Sequence, residues 1–310
     1  MVWTPQSAAS QTPVETGVPS VATADFVQVP DANLLFTADF TRSGSDLKLI
    51  GSDGSTFVVP RYFEADSPAG LMSPQGAMLS GDTVSLLAGP LFPGQYAQAG
   101  PAQGGAKPIG EVSQLNGTVT VQRSDGVTVE LKSGDAVFKG DVVTTADGGS
   151  VGMVFLDGTV FSMQPGTRMV LNEFVYEANG SSNASVFNVI QGTFTFVAGK
   201  IAPTGDMQVK TPIATMGIRG TSGLGIKVAA PDGQLSLTQN PGGGLGIIDI
   251  INNLTGLIFQ TLTAADLKIT LGPNGTLLAS SKTQADIELG DLLTQQLHVL
   301  YENSEVPEAG

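Results

Sequence analysis

Apolar and polar positions alternate along most of this chain, in short runs broken by glycine-containing turns. DLKLIGSDGSTFVVP (46–60), GDVVTTADGGSVGMVF (140–155) and VIQGTFTFVAG (189–199) all follow the pattern. Period two sends successive side chains to opposite faces, so each run reads as a strand with one buried face. One unit recurs: SDGSTFVV (52–59), SDGVTVEL (124–131), LDGTVFSM (156–163), PDGQLSLT (231–238) and PNGTLLAS (273–280). Each places Asp-Gly or Asn-Gly ahead of an alternating run, and glycine supplies the positive φ that a tight turn needs. A second echo sets LSGDTVSLL (79–87) against LKSGDAVFKGDVV (131–143). Spacing between the units is irregular, so no strict repeat array follows.

Helix signals are few. Ile247, Ile250, Ile251, Leu254, Leu257 and Ile258 fall at helical spacing, but NNLTG interrupts them. An isoleucine-rich hairpin, IIDII–turn–LIFQTLT, is preferred there to a helix. Asp291 followed by LLTQQLHVLY predicts a capped helix with Leu292, Leu293, Leu297 and Leu300 on one face, packed against a sheet.

Composition sharpens this reading. Glycine numbers 40 and proline 18, while 41% of residues are apolar and only 14% charged. That excludes a wholly disordered chain, and the lack of a three-residue glycine period excludes collagen. A folded all-β protein remains. The chain divides into a flexible leader (1–30), a small N-terminal β module (31–89) and a Gly/Pro linker (90–108). A block of short strands (109–228), a β-rich C-terminal extension with one short helix (229–303) and a polar tail (304–310) follow.

With 14 basic against 28 acidic residues the net charge is −14, and no basic block occurs. Nucleic acid and anionic membrane surfaces both call for Lys/Arg patches, so neither is expected as a partner. Cysteine is absent, which excludes disulfides, thiolate catalysis and cysteine-ligated metals and is compatible with export to an oxidising compartment. The N-terminus lacks the basic and apolar regions of a secretory signal peptide. The longest apolar stretch, Leu245 to Leu262, is broken by Asp249, Asn252 and Asn253, so no membrane insertion is expected. Export would use another route, or the chain is a piece of a longer one.

No constellation for catalysis emerges. The single histidine, His298, sits in the expected helix without cysteine or histidine partners and reads as a partly exposed helix residue. Gly199–Lys200 lacks the spacing of a phosphate loop, and GTSGLG (220–225) fits neither a nucleophile elbow nor a dinucleotide fingerprint. GGGLGIID (242–249) approaches a calcium-binding nonapeptide, but its aspartate comes one place late and in one copy. Sequons at Asn116, Asn179, Asn183, Asn253 and Asn274 read mainly as turn chemistry, as do Asp135 and Asp141 in SGDAVFKGD. The chain is therefore expected to be no enzyme and to need no cofactor or metal.

GEVSQLNGTVTVQR (110–123), LKSGDAVFKGDVVTTADGGSVGMVFLDGTVFSMQPGTRMVL (131–171), VIQGTFTFVAG (189–199) and VKTPIATMGIRGT (209–221) together resemble the FecR domain. This is a periplasmic module of iron-dicitrate transport regulators. The motif residues are Thr211, Pro212, Gly217, Arg219, Gly220 and Thr221. For architecture the expectation is a β-solenoid-like stack of short strands over 109–228, with a small β-sandwich as the alternative. Residues 31–90 resemble the leader that precedes FecR domains in large alphaproteobacterial surface proteins, many exported by type I secretion. The resemblance implies a non-enzymatic envelope or cell-surface protein with a structural or protein-binding domain. Strand edges exposed by such a fold could recruit a partner strand. The alternative is an envelope signal-sensing regulator working through protein–protein contacts. Other envelope or surface proteins are the expected partners; their identity and the oligomeric state stay open. Periplasmic residence is the alternative to the cell surface or the exterior.

Within TPIATMGIRGT, Met216 and Ile218 are expected on one face and Arg219 on the other, with Gly217 and Gly220 allowing close backbone approach. Arg219 is expected to be substantially buried and bonded to a carboxylate or several carbonyls, Arg219→Ala then costing on the order of 3 kcal/mol. A partner-contacting arginine is the other reading.

Overall fold

The computed structural model describes residues 26–91, 106–178, 180–204, 206–220, 223–228, 233–238, 246–272 and 276–304. Most of the expected leader, most of the linker, Thr221 and Gly242–Gly244 lie outside these residues.

The N-terminal module is built from β1 (Phe26–Gln28), α1 (Ala32–Thr37), β2 (Asp39–Ser43), β3 (Asp46–Ile50), β4 (Thr56–Val59), β5 (Gly70–Met72), β6 (Met78–Leu79) and α2 (Gly81–Ala88). β1 pairs with β5 in parallel, so Phe26–Gln28, inside the stretch read as leader, is held in a sheet. The echo at 79–87 proves to be one of sequence only: it forms α2, whereas its counterpart forms strands. Ser80 caps the helix by accepting a hydrogen bond from the Thr83 N–H, and Gly89 ends it at φ +69°. Thr83, Val84 and Leu87 then bury one helical face, a period the shared Ser-Gly-Asp conceals.

Two large sheets follow. Their strands are β7 (Gly110–Asn116), β8 (Val119–Gln122), β9 (Thr128–Glu130), β10 (Ala136–Val137), β11 (Val142–Thr145), β12 (Ser150–Phe155), β13 (Val160–Met163), β14 (Arg168–Val175) and β15 (Ala184–Val197). After a short turn of helix, α3 (Ile201–Thr204), come β16 (Asp206–Lys210), β17 (Ala214–Arg219), β18 (Gly223–Val228), β19 (Gly233–Thr238), β20 (Ile247–Asn252), β21 (Ile258–Leu262), β22 (Leu267–Leu271) and β23 (Leu277–Ser281). The first sheet runs β10–β7–β12–β13–β15–β18–β19–β22–β23. The second runs β9–β8–β11–β14–β15–β16–β17–β20–β21. β15 belongs to both: its first half pairs in the second sheet and its second half in the first. It turns at Gly192, where φ is +105° and a Cβ would fall 2.3 Å from the Thr167 hydroxyl.

The chain is all-β in its main body, but the ladders are not those of a solenoid. Among the described strands of the two sheets only β15–β16 is parallel. The physical reason is the turn chemistry. Two-residue Asp-Gly turns close antiparallel pairs, while parallel pairs need long crossovers. Asp53, Asp125 and Asp157 each accept the backbone N–H two residues ahead, at 2.9, 3.0 and 3.0 Å, and each is followed by a glycine at positive φ. Two facing antiparallel sheets result, in line with the sandwich alternative. They continue without a break past residue 228, because β17 pairs with β20 and β18 with β19.

Phenylalanines join the layers. Phe155 and Phe161 of the first sheet meet Phe187 of the second, with ring centroids 4.9 and 4.7 Å apart, and Phe161 also stacks on Phe194 and Phe196. The N-terminal module covers part of the second sheet. Asn188 donates to Thr83, and Arg168 donates to the Ala38 carbonyl at 3.0 Å.

The expected hairpin over 247–262 is present as β20–β21. The C-terminal helix, α4 (Gln284–Ser304), begins well before Asp291. Thr283 and Asp286 exchange backbone and side-chain hydrogen bonds at its start, a reciprocal cap. Leu293, Leu297 and Leu300 are buried, but Leu292 is 53% exposed, because the burying face follows positions three and four apart and excludes it. α4 lies against β12, β13 and β15 of the first sheet. Gly152 makes room for it, since a Cβ there would come within 2.3 Å of the Leu300 side chain. Gly152→Val is expected to push the helix off, costing on the order of 2 kcal/mol. Limited proteolysis should then cut between residues 281 and 284; unchanged protection there would refute the expected undocking.

Candidate functional site

The TPIATMGIRGT segment sits where three parts of the molecule meet. Thr211 is buried, and its hydroxyl accepts the N–H groups of Ile213 and Ala214 at 3.3 and 3.1 Å, bending the chain into β17. The Pro212 carbonyl accepts the Met78 N–H at 2.7 Å, which fastens the N-terminal module here. From the far side, Asn253 of the β20–β21 turn donates to the Thr211 carbonyl and accepts from Thr215, both at 2.8 Å. The amide of this sequon asparagine is thus already engaged, as is that of the buried Asn183, which bonds Glu177.

β17 has the two faces its alternation predicts. Ala214, Met216 and Ile218 are buried between the layers, and Arg219 points the other way. Arg219 is not buried, however: its side chain is 62% exposed while it pairs with the Asp249 carboxylate. The strand is the reason, since Thr215, Gly217 and Arg219 lie on the outer face of the second sheet. Asp249 also accepts from Thr261 at 2.7 Å, so Arg219, Asp249 and Thr261 form a polar row across β17, β20 and β21. The glycines differ in role from expectation. A Cβ on Gly217 would meet only ordinary contacts, the nearest at 3.6 Å, and Gly220 is required by φ +88° rather than by a close neighbour.

Arg219 is screened by water, and the buried Asp249 keeps its hydrogen bond from Thr261 when the arginine is removed, so Arg219→Ala is expected to lower stability by about 1 kcal/mol. A thermal-unfolding series would check it, and a loss nearer 3 kcal/mol would restore the load assigned to this residue from sequence.

A cavity of about 340 Å³ opens at the same junction. Phe26, Met78 and Thr83 form one wall, and Lys210, Thr211 and Asn253 another. Its lining offers amides, hydroxyls, apolar surface and a single cation, which suits binding; a nucleophile paired with a base is not among its residues. Among the described residues no group of three His, Cys, Asp or Glu is placed to hold a metal ion. His298 is on the exposed side of α4, which packs on the other sheet.

A buried ion pair lies elsewhere, at a position read from sequence as a turn. Asp141 is fully buried; one carboxylate oxygen takes hydrogen bonds from the Arg123 guanidinium and the Phe138 N–H, and the other has no partner. Burial pushes its carboxyl up to about 6, against the opposing pull of Arg123. Arg123 also donates to the Ala136 carbonyl and stacks over Phe138. Asp135, spelled alike in sequence, is the turn residue expected, half-buried and accepting the Lys132 N–H. Gly-Asp alone does not separate the two; Arg123, one of only 14 basic residues, was the available signal.

Comparison with known proteins matches residues 141–240 to the family model described as FecR protein. Two crystal structures of a candidate anti-sigma factor from Parabacteroides distasonis are similar at 14% identity and a TM-score of 0.36. The similarity covers 47% of this chain and 62% of that one, less than two thirds of its length. No curated protein matches the chain.

Proposed function

We propose that this chain, which carries a FecR domain over residues 141–240, is a signal-sensing regulator of the bacterial envelope that acts through protein–protein contacts and performs no catalysis. The family match carries this reading. The exposed Arg219 supports it, because an arginine outside the core, held in place by Asp249, presents its remaining donors to a partner. The cavity beside Thr211 and Pro212 supports it too, since it joins the N-terminal module to the family motif and would feel a shift of either. No helix among the described residues is long and apolar enough to cross a membrane.

The test is genetic. Deleting the gene should change a defined set of transcripts, and a strain carrying Arg219→Ala should change the same set at an unchanged level of the protein. A deletion that leaves the transcript profile as it was rejects the regulatory role. A deletion effect that Arg219→Ala does not reproduce removes Arg219 from the contact.

A further inference from the structure

The register of the second sheet sets four side chains in a row on its outer face. Asn188 of β15 pairs with Lys210 of β16, Lys210 with Thr215 of β17, and Thr215 with Ile251 of β20. Directly paired residues point to the same side of a sheet, and all four line the cavity of about 340 Å³ as its floor. Phe26, Met78 and Leu79 supply an apolar wall from the N-terminal module. Two of the polar floor residues are engaged: the buried Asn188 donates to Thr83 of the module, and Thr215 donates to Asn253. Lys210 stands between them, half-buried and with no ion-pair partner among the described residues. Taking an ammonium partly out of water costs free energy unless a counter-charge replaces the water.

We propose that this cavity binds a small monocarboxylate, its carboxylate on the Lys210 ammonium and its apolar body against Phe26, Met78 and Ile251. Charge fixes the head group. Lys210 is the single cation of the lining, and no carboxylate lines it. One negative charge is therefore balanced, and a second would be left over in a chain of net charge −14. The acids nearest along the same strands are already engaged, Asp206 by the Gln208 amide and Asp249 by Arg219. Volume sets the size: at the ~30 Å³ that a water takes in the liquid, the cavity holds about ten non-hydrogen atoms. The site does not depend on the regulatory reading, because its test is binding to the purified chain and not a transcript profile.

Octanoate, which is of that size, is the probe. Calorimetry on the full chain should give a Kd of about 1 mM or tighter. Octan-1-ol, with the chain but no charge, and acetate, with the charge but no chain, should bind at least tenfold more weakly. The chain as a whole repels anions, so a preference for octanoate over the alcohol has to come from a local cation. Lys210→Met keeps an apolar stem and should weaken octanoate at least tenfold at an unchanged thermal midpoint, while Lys210→Arg should retain binding. A second readout needs no variant: with methyl-labelled methionine, the Met78 signal should move on adding octanoate while those of Met153 and Met163, sealed in the core, stay in place. No octanoate binding, an alcohol that binds as well, an unaffected Lys210→Met or an unmoved Met78 signal would each overturn the proposal.

Discussion

Arg123→Met should cost about 2–3 kcal/mol at pH 7, because Asp141 loses its counter-charge and must take up a proton, and the Arg123 bond to the Ala136 carbonyl and its stacking on Phe138 go too. The loss should shrink at pH 5. Asp141 titrates near 6 in the fold against 3.8 for an ordinary aspartate, chiefly because burial disfavours its charged form. The folded state therefore holds this proton more tightly than the unfolded chain. That contribution to stability is complete below pH 3.8 and is lost as pH rises through about 6, roughly 3 kcal/mol in all. Asp141→Asn cannot titrate, so its stability should be flatter between pH 4.5 and 7.5 than that of the wild type. Denaturant unfolding at several pH values reads both effects. An Arg123→Met loss equal at pH 5 and pH 7, or a wild-type profile as flat as that of Asp141→Asn, would count against the assignment.

Phe161→Ala is the other large loss, expected at about 3–5 kcal/mol. Its ring is fully buried and touches Phe155, Phe187, Phe194 and Phe196, so truncation opens a void at the point where the two sheets meet. Leu156, five residues earlier in the same hairpin, is 62% exposed, and Leu156→Ala should stay within about 0.5 kcal/mol. Equal losses from the two would show that the interlayer aromatics do not form one packed core.

Local chemistry was legible in this chain and register was not. Asp53-Gly54, Asp125-Gly126 and Asp157-Gly158 announce hairpins because aspartate bonds the backbone two residues on and glycine tolerates the φ that closes the turn. Asp147-Gly148-Gly149 looks the same and does otherwise. It passes the chain from β11 in one sheet to β12 in the other, with the Thr118 carbonyl 2.4 Å from where a Gly149 Cβ would lie. The reciprocal cap Thr283–Asp286 was readable by its spacing, so the true start of α4 was within reach of the sequence.

By itself, then, the sequence determined the all-β class, the positions of its Asp-Gly hairpins, the two faces of β17 and the FecR resemblance. Each follows from turn geometry, side-chain alternation or a motif a few residues long. Tertiary structure alone decided that the ladders are antiparallel in two layers, that Asp141 rather than Arg219 lies in a buried ion pair, and that the module at 26–91 closes over Thr211 and Pro212. Those outcomes depend on which strand lies beside which. Arg219 stays in water because β17 turns that face outward, whereas Asp141 is sealed by strands and turns its neighbouring residues do not specify.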